Sequence, residues 1–411
     1  MGFLDRFFSR KAATTSEDIW REIYGGKASK SGVTVTVESA LQASVALACA
    51  RAIANGLSSI PFKLMQESGD SVAPARDQKL YELMAMAPNE WQTSVGFFEQ
   101  IAFHLVFCGN AYVFKNSVGG EVTELLPYPP GNVRTLADGW RLRYFVQLKD
   151  GAEIEIPAAD MWHLRGPSWD GVKGMEGVAL AREALGMSIA AEMHGSSTFA
   201  NGVQLGGLLT TEQALNTEQR RMLRETWHDT HGGAGNAGKT AVMSHGMKFT
   251  ASQASNIDSQ WLEARRFQVE EICRAFGVWP IMAFYSDKAT TYASASAMFD
   301  AHVKFTMLRW YRDIETSAAI HLLTPEQRAS GLYFQFFPQG LMRANATERG
   351  EFYAALYNTG AINPNEIRKL EDMNPYPGGE KFRVPLNMAD PNAPLAPQAQ
   401  PGAQGNTNGT T

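Results

Sequence analysis

Two long segments of helical character, Glu176 to Ala200 and Asp258 to Phe276, bracket a short stretch that reads strand, helix, strand. No other feature constrains the fold as much. The first segment is rich in Ala, Met and Glu and stops before Asn201-Gly202; the second sets Trp261, Val269, Ile272 and Phe276 roughly on one face. Between them the spacing predicts a strand over Gly207 to Thr210 and a helix from Thr217 to about His231, with Arg220, Arg221 and Arg224 on its surface. A glycine-rich loop and a second strand, Thr240 to Ser244, complete this β-α-β insert.

The flanking regions have a different character. Leu41, Val45, Ala48, Ala52 and Ile60, widened by Ile53 and Leu57, form a helical stripe that Pro61 stops. Phe97, Ile101, Leu105 and Cys108 form a second stripe before Gly109. Short strands are predicted at Ala111 to Phe114 and Glu124 to Leu126 around a Gly119-Gly120 turn, then at Leu142 to Leu148 and Glu153 to Ile156. This first part is a mixed α+β domain. After the second long helix, Gly277-Val278-Trp279-Pro280 is a stop, Ser286 to Ser296 reads as a polar loop, and a third long helix is predicted over about Ala297 to Leu323. A strand at Tyr333 to Phe337 and a helical pair, Thr347 to Leu356 and Asn365 to Met373, follow. Beyond about Asn387 the chain is Pro, Ala, Gln, Gly and Asn, with too little apolar bulk to offset its ordering entropy, and a disordered tail is expected.

Composition narrows the function. A chain of 411 residues holds a large core or several domains, and its net charge of −5 with no block of Lys or Arg excludes a tight general grip on nucleic acid. Cys49, Cys108 and Cys273 sit in three different apolar segments, matching neither a disulfide framework nor a zinc spacing. They read as small buried residues in a reducing compartment. Asp5 and Arg6 interrupt the run that a signal peptide needs, and Arg6 stands where a myristoylation motif expects Ser or Thr, so the N-terminus reads as an amphipathic, partner-docking helix. The apolar stretches Ala40 to Ile60 and Phe97 to Phe114 are broken by Arg51 and Asn55 or by Glu99, Gln100 and His104, and no membrane span is predicted.

One motif points to an enzyme. Gly233 to Thr240 satisfies the phosphate-loop pattern, with Lys239 and Thr240 in the terminal positions, so the alternative reading is an ATP-hydrolysing enzyme that uses this glycine-rich loop. That chemistry needs a strand before the loop and a helix after it, so that backbone N–H groups and the helix N-terminus face the phosphates. The predicted order here is the reverse. His228 and His231, three apart with Asp229 between, lack further ligands for a metal. His-Glu-x-x-His and Gly-x-Ser-x-Gly signatures are absent. No catalytic residues, metal or cofactor are therefore assigned.

A series of strings in shared order resembles the portal family of long-tailed, lambdoid-type double-stranded DNA phages. They are Phe3-Leu4-Asp5-Arg6-Phe7-Phe8; Pro88-Asn89 with Trp91-Gln92-Thr93; Gly109-Asn110-Ala111-Tyr112; Leu126-Pro127-Tyr128-Pro129-Pro130; and Asp170-Gly171 with Gly174. Phe199-Ala200-Asn201-Gly202, Gly232-Gly233 with Asn236 to Lys239, Phe276-Gly277-Val278, Ala289-Thr290 with Tyr292, and Pro364-Asn365-Glu366 with Arg368 continue it to about Arg383. Trp279 departs from the pattern, where the family more often has a second proline.

The resemblance implies a portal-type α+β fold: an N-terminal wing (1–175), a stem helix (176–202), a clip (203–255) and a second stem helix (256–279). A channel loop (280–293), a long helix with a returning wing strand (294–339), a helical crown (340–387) and the disordered tail (388–411) complete the plan. It further implies a dodecameric ring at one capsid vertex, through which double-stranded DNA is packaged and ejected without sequence recognition. Implied partners are other copies of the chain, the terminase packaging motor, the major capsid protein and a head-tail adaptor. The implied locations are the virion and, during assembly, the host cytoplasm. On that plan Lys288, Thr290, Thr291 and Tyr292 face the DNA, Trp261, Arg265, Arg266 and Glu270 contribute inter-subunit contacts, and Arg220, Arg221 and Arg224 dock the motor or adaptor. A gene-transfer particle would need the same physical device.

Overall fold

The computed structural model describes residues 27–69, 71–148, 150–200, 207–211, 215–231, 248–251, 255–285, 292–338, 346–371 and 373–382. They belong to two compact units, the first ending at Phe337 and the second beginning at Pro338. The class is α+β.

The first unit opens with a small hairpin, β1 (Lys27–Ala28) and β2 (Thr34–Val35), and helices α1 (Val37–Gln42) and α2 (Ser44–Ser58). Thr36 starts α1 through a reciprocal capping box with Ser39. Extended backbone at Ala43 (φ −71°, ψ 110°) then separates the two helices. That break corrects the predicted stripe. Leu41 is exposed and Val45, Ala48 and Ala52 are half-buried, whereas Ala46, Cys49, Ala50, Ile53, Ala54 and Leu57 make the buried face. Small Ala and Cys side chains allow neighbouring helices to approach α2 closely.

Strands β3 (Phe62–Ser68) and β4 (Ser71–Pro74) precede α3 (Lys79–Ala85) and α4 (Ser94–Cys108). Thr93 caps α4, and Gly109 ends it in the left-handed region (φ 70°) that favours glycine. Next come β5 (Asn110–Val118), β6 (Glu121–Tyr128), β7 (Val133–Asp138), β8 (Arg141–Gln147), β9 (Glu153–Ile156) and β10 (Met161–Arg165). Two antiparallel sheets result, ordered β10-β5-β6 and β7-β8-β9. The predicted Gly119-Gly120 turn joins β5 to β6.

The first long helical segment is not continuous. It divides at Ala181 into α5 (Gly177–Leu180) and α6 (Arg182–Ala200). The division follows from docking: Gly177 lies so close to α4 that a Cβ there would sit 2.0 Å from the Val106 carbonyl oxygen. The insert contains β11 (Gly207–Thr210), α7 (Thr217–His231) and β12 (Lys248–Ala251), with β11 antiparallel to β12. The predicted strand Thr240 to Ser244 lies outside the described residues; the strand that pairs with β11 begins at Lys248.

Helix α8 (Ser255–Phe276) packs on α2 and α6 and ends where expected, at Gly277 and a turn of 3-10 helix over Pro280–Ala283. The next helix, α9 (Tyr292–His302), starts five residues before the predicted Ala297, because alternating Ala and Ser from Ala293 propagate a helix despite their polar appearance. A π-helical turn, Val303–Met307, joins it to α10 (Leu308–Leu322). After α11 (Pro325–Ala329), β13 (Leu332–Phe336) pairs antiparallel with β3. In the core between them, Phe62 stacks on Phe334 at 5.3 Å and meets Phe98 edge-on at 5.2 Å.

The second unit contributes α12 (Ala346–Asn358) and α13 (Pro364–Leu370). Asn363 and Glu366 form a capping box at α13, with Pro364 at the first helical position. Glu371 receives Tyr353 Oη at 2.8 Å and Arg349 at 3.0 Å.

Candidate functional site

The sequence placed the functional surface on the long helices, the insert and the loop after Pro280. Over Glu263 to Phe267, five consecutive residues of α8 are all exposed. Five residues turn through more than a full circle at about 100° each, so every side of this stretch carries an exposed residue. The helix then enters the core, half-buried over Gln268 to Glu271 and fully buried at Ile272 and Cys273. Arg265 and Arg266 therefore lie on the projecting turn and Glu270 on the half-buried one. Trp261 belongs to α8, but its side chain is outside the described residues.

Helix α6 runs beside α8. Its inner end is held by the β1-β2 hairpin: Glu183 Oε2 accepts from the Lys30 N–H at 3.0 Å, and a Cβ at Gly186 would lie 2.2 Å from Ser29 Oγ. Toward its far end Glu192, Met193, His194, Ser196 and Ser197 are exposed. Large rings are exposed here: Phe267 of α8 is 54% exposed, and beyond its end Phe284 is 93% and Phe305 78% exposed. No apolar spacing signals this, because a ring bound for an interface and one bound for the core occupy helical positions alike. Phe284 also has φ 59°, a left-handed conformation unusual for a bulky residue.

On α7, Arg221 is gripped by two carboxylates of its own helix, Glu218 at 2.5 Å and Glu225 at 2.8 Å. Those contacts raise the Arg221 pKa and lower that of Glu218. Arg221 is therefore paired along its own helix and stays exposed to solvent. Arg220 is exposed, and the Arg224 side chain is outside the described residues. Lys288, Thr290 and Thr291 also lie outside them, and Tyr292 is the first residue of α9 rather than a loop residue.

The glycine-rich segment from Gly233 to Lys239, with Thr240, lies outside the described residues. The described element that precedes it is helix α7, where a phosphate loop requires a strand. Among the described residues no group of three or more His, Cys, Asp and Glu could hold a metal ion, and no helix is long and apolar enough to cross a membrane.

Several of the shared strings have structural work to do. Asn110 Oδ1 accepts from the Gly174 N–H at 2.8 Å and from His163 Nε2 at 3.1 Å, while its Nδ2 donates to the Cys108 and Gly174 carbonyls. With Nε2 donating, His163 Nδ1 accepts from Arg165 Nε and Tyr144 Oη, each at 3.3 Å. Burial, reinforced by Arg165, drives the His163 pKa far down and keeps the ring neutral. Asp170 Oδ1 folds the intervening turn by accepting from the Val172 and Lys173 N–H groups. Asn89 does the same for its string, accepting from the Trp91 and Gln92 N–H groups and donating to the Leu125 carbonyl.

The profile of the family described as "Phage portal protein" matches residues 44–372. The probable portal protein of Streptomyces phage phiC31 is 28% identical over 417 residues, covering 95% of this chain and 90% of that protein. The portal protein of Enterobacteria phage HK97 is 27% identical over 357 residues, 84% of this chain and 82% of that protein. Among solved structures, a chain from the neck of an empty GTA particle, computed with C6 symmetry, superposes with a TM-score of 0.58 at 20% identity, covering 90% of this chain and 96% of that one. That likeness establishes a common fold.

Proposed function

Because the chain belongs to the phage portal protein family, we propose that copies of it close into a dodecameric ring at one capsid vertex and form the channel for DNA packaging and ejection. The observation that carries this reading is the turn of α8 over Glu263 to Phe267, where five consecutive residues are exposed and one of them is an apolar ring. A closed ring needs two different complementary faces per subunit. Projecting helices α6 and α8 supply candidates, with Trp261, Arg265, Arg266 and Glu270 contributing to contacts between neighbours. The six-fold symmetry used for the similar neck is contained in a twelve-fold ring.

DNA slides through such a channel, and each phosphate held by Lys or Arg adds to a salt-dependent grip. A net charge of −5 and scattered cations suit a wall that holds the duplex loosely. Lys288, Thr290, Thr291 and Tyr292 touch the backbone of double-stranded DNA without reading its sequence. The insert, through Arg220, Arg221 and Arg224, is the docking surface for the terminase motor or a head-tail adaptor, and the ring contacts the major capsid protein. Assembly takes place in the host cytoplasm. The subunit's role is structural, and no observation favours ATP hydrolysis at Gly233 to Thr240.

Negative-stain microscopy of the purified chain tests the reading: annular axial views are expected. A protein that remains a compact monomer under assembly-promoting conditions overturns it. At residue level, an Arg265→Glu, Arg266→Glu double variant should lose rings in native mass spectrometry while keeping its far-UV circular dichroism. Intact rings would remove these residues from the interface.

A further inference from the structure

The sequence kept the three cysteines apart, but the fold brings two of them together across 224 positions of chain. Cys49 on α2 and Cys273 on α8 are 0% exposed, with their sulfur atoms 3.7 Å apart. Cys273 also belongs to the wall of a cleft of about 430 Å³, formed with Arg274, Gly277, Trp279 and Phe305. We propose that Cys49 and Cys273 are a peroxide-sensitive thiol pair that closes to a disulfide, tying α2 covalently to the projecting helix α8. The chemistry resides within one subunit and does not depend on ring formation.

The two sulfurs are not equivalent. The Cys49 S–H donates to Cys273, which lowers the Cys273 pKa against the opposing effects of burial and Glu270, and raises that of Cys49, with burial adding to the rise. Cys273, beside the cleft, is thus the sulfur that reacts as thiolate. It attacks hydrogen peroxide; an S–O bond forms, the O–O bond breaks, and hydroxide leaves to take up the displaced proton. Cys49, giving up its proton, then attacks the resulting sulfenic sulfur; the S–S bond forms, the S–O bond breaks, and water leaves. In sum two thiols and one peroxide become one disulfide and two waters. The sulfurs must close from 3.7 Å to about 2.05 Å. Their burial excludes a bulky oxidant such as glutathione disulfide, whereas peroxide is close to water in size. Cys108 is an internal control: half-buried, it has its pKa pushed up to about 12 by burial and by Glu176.

The test uses the full chain, reduced, exposed to hydrogen peroxide, then denatured and alkylated before peptide mapping. The expected product carries a Cys49–Cys273 disulfide and a single alkylated cysteine, Cys108, and reverts with dithiothreitol. In Cys49→Ser, which keeps a hydroxyl donor to Cys273, dimedone added at the denaturation step should trap a sulfenic acid at Cys273; in Cys273→Ala, neither adduct nor disulfide should form. Three alkylated thiols after a dose that oxidises surface methionines would overturn the proposal. So would a Cys273 that runs on to sulfinic acid beside an alkylatable Cys49, or a disulfide that joins Cys108 or two chains. If a variant does not fold, the wild-type map alone decides.

Discussion

Replacing Asn110 by Ala should destabilise the first unit by about 4 kcal/mol. The side chain is 7% exposed and makes four hydrogen bonds, to the Gly174 N–H and carbonyl, the Cys108 carbonyl and His163 Nε2. Alanine leaves two buried donors, the Gly174 N–H and the His163 Nε2–H, without an acceptor. At about 1–3 kcal/mol for each orphaned group, the sum centres near 4 kcal/mol, a large part of the roughly 5–15 kcal/mol that stabilises a typical domain. Aspartate should be no better, since it keeps the acceptors but sets an anion against two carbonyl oxygens that had been receiving N–H groups. Guanidinium unfolding followed by the fluorescence of Trp162, fully buried beside His163, measures both variants against wild type. A loss below about 1 kcal/mol for Asn110→Ala would refute the reasoning, because it would mean that water or a shifted backbone satisfies those groups at little cost.

Gly174→Ala brings a Cβ to 1.8 Å from the Gly109 carbonyl oxygen, backbone that cannot give way, and should cost at least about 2 kcal/mol in the same unfolding measurement. Gly350→Ala, in the middle of α12 with nothing within 4 Å, should instead stabilise its helix by about 0.5–1 kcal/mol, read as a raised melting temperature. Burial holds His104 and His321 at pKa values of about 4, the latter helped by Lys115, against about 6.5 in an unfolded chain. Because only the unfolded form takes up these protons between those values, stability should be level above pH 6.5. It should fall as pH drops toward 4, by up to about 1.4 kcal/mol per pH unit for each ring. Denaturant midpoints recorded across that range, with a shallower slope in His104→Gln, check this.

What could be read from the sequence was whatever depends on near neighbours. The Gly119-Gly120 turn, the stop at Gly109 and the extents of α7 and α8 follow from local backbone preference and periodicity. The buried face of α2 was misjudged because the break at Ala43 resets the angular register, and a break set by one extended residue leaves no periodic trace. The division at Ala181 escaped for a different reason. Ala, Arg, Glu and Leu on either side are all good helix formers, and what turns the chain is the docking of Gly177 on α4, a tertiary event. Long-range pairings were equally invisible: β13 on β3, and Cys49 against Cys273, join segments whose local patterns carry no mark of the partner.

The same division separates what resemblance can and cannot convey about the functional surface. Asn89, Asn110, Asp170, Gly174 and Asn363 close turns, clasp loops or cap helices by hydrogen bonds to backbone, and a close Cβ contact or a lost cap penalises almost any replacement. Such geometry constrains the residue at each of these positions from within the subunit. Phe267, Arg266 and Arg220 are exposed on their own subunit. In the proposed ring, the surface that meets them sets their identity. Partner specificity must therefore be sought on these exposed turns, and a chimera that exchanges only 263–267 with a relative should change which subunits co-assemble while leaving the fold of each intact.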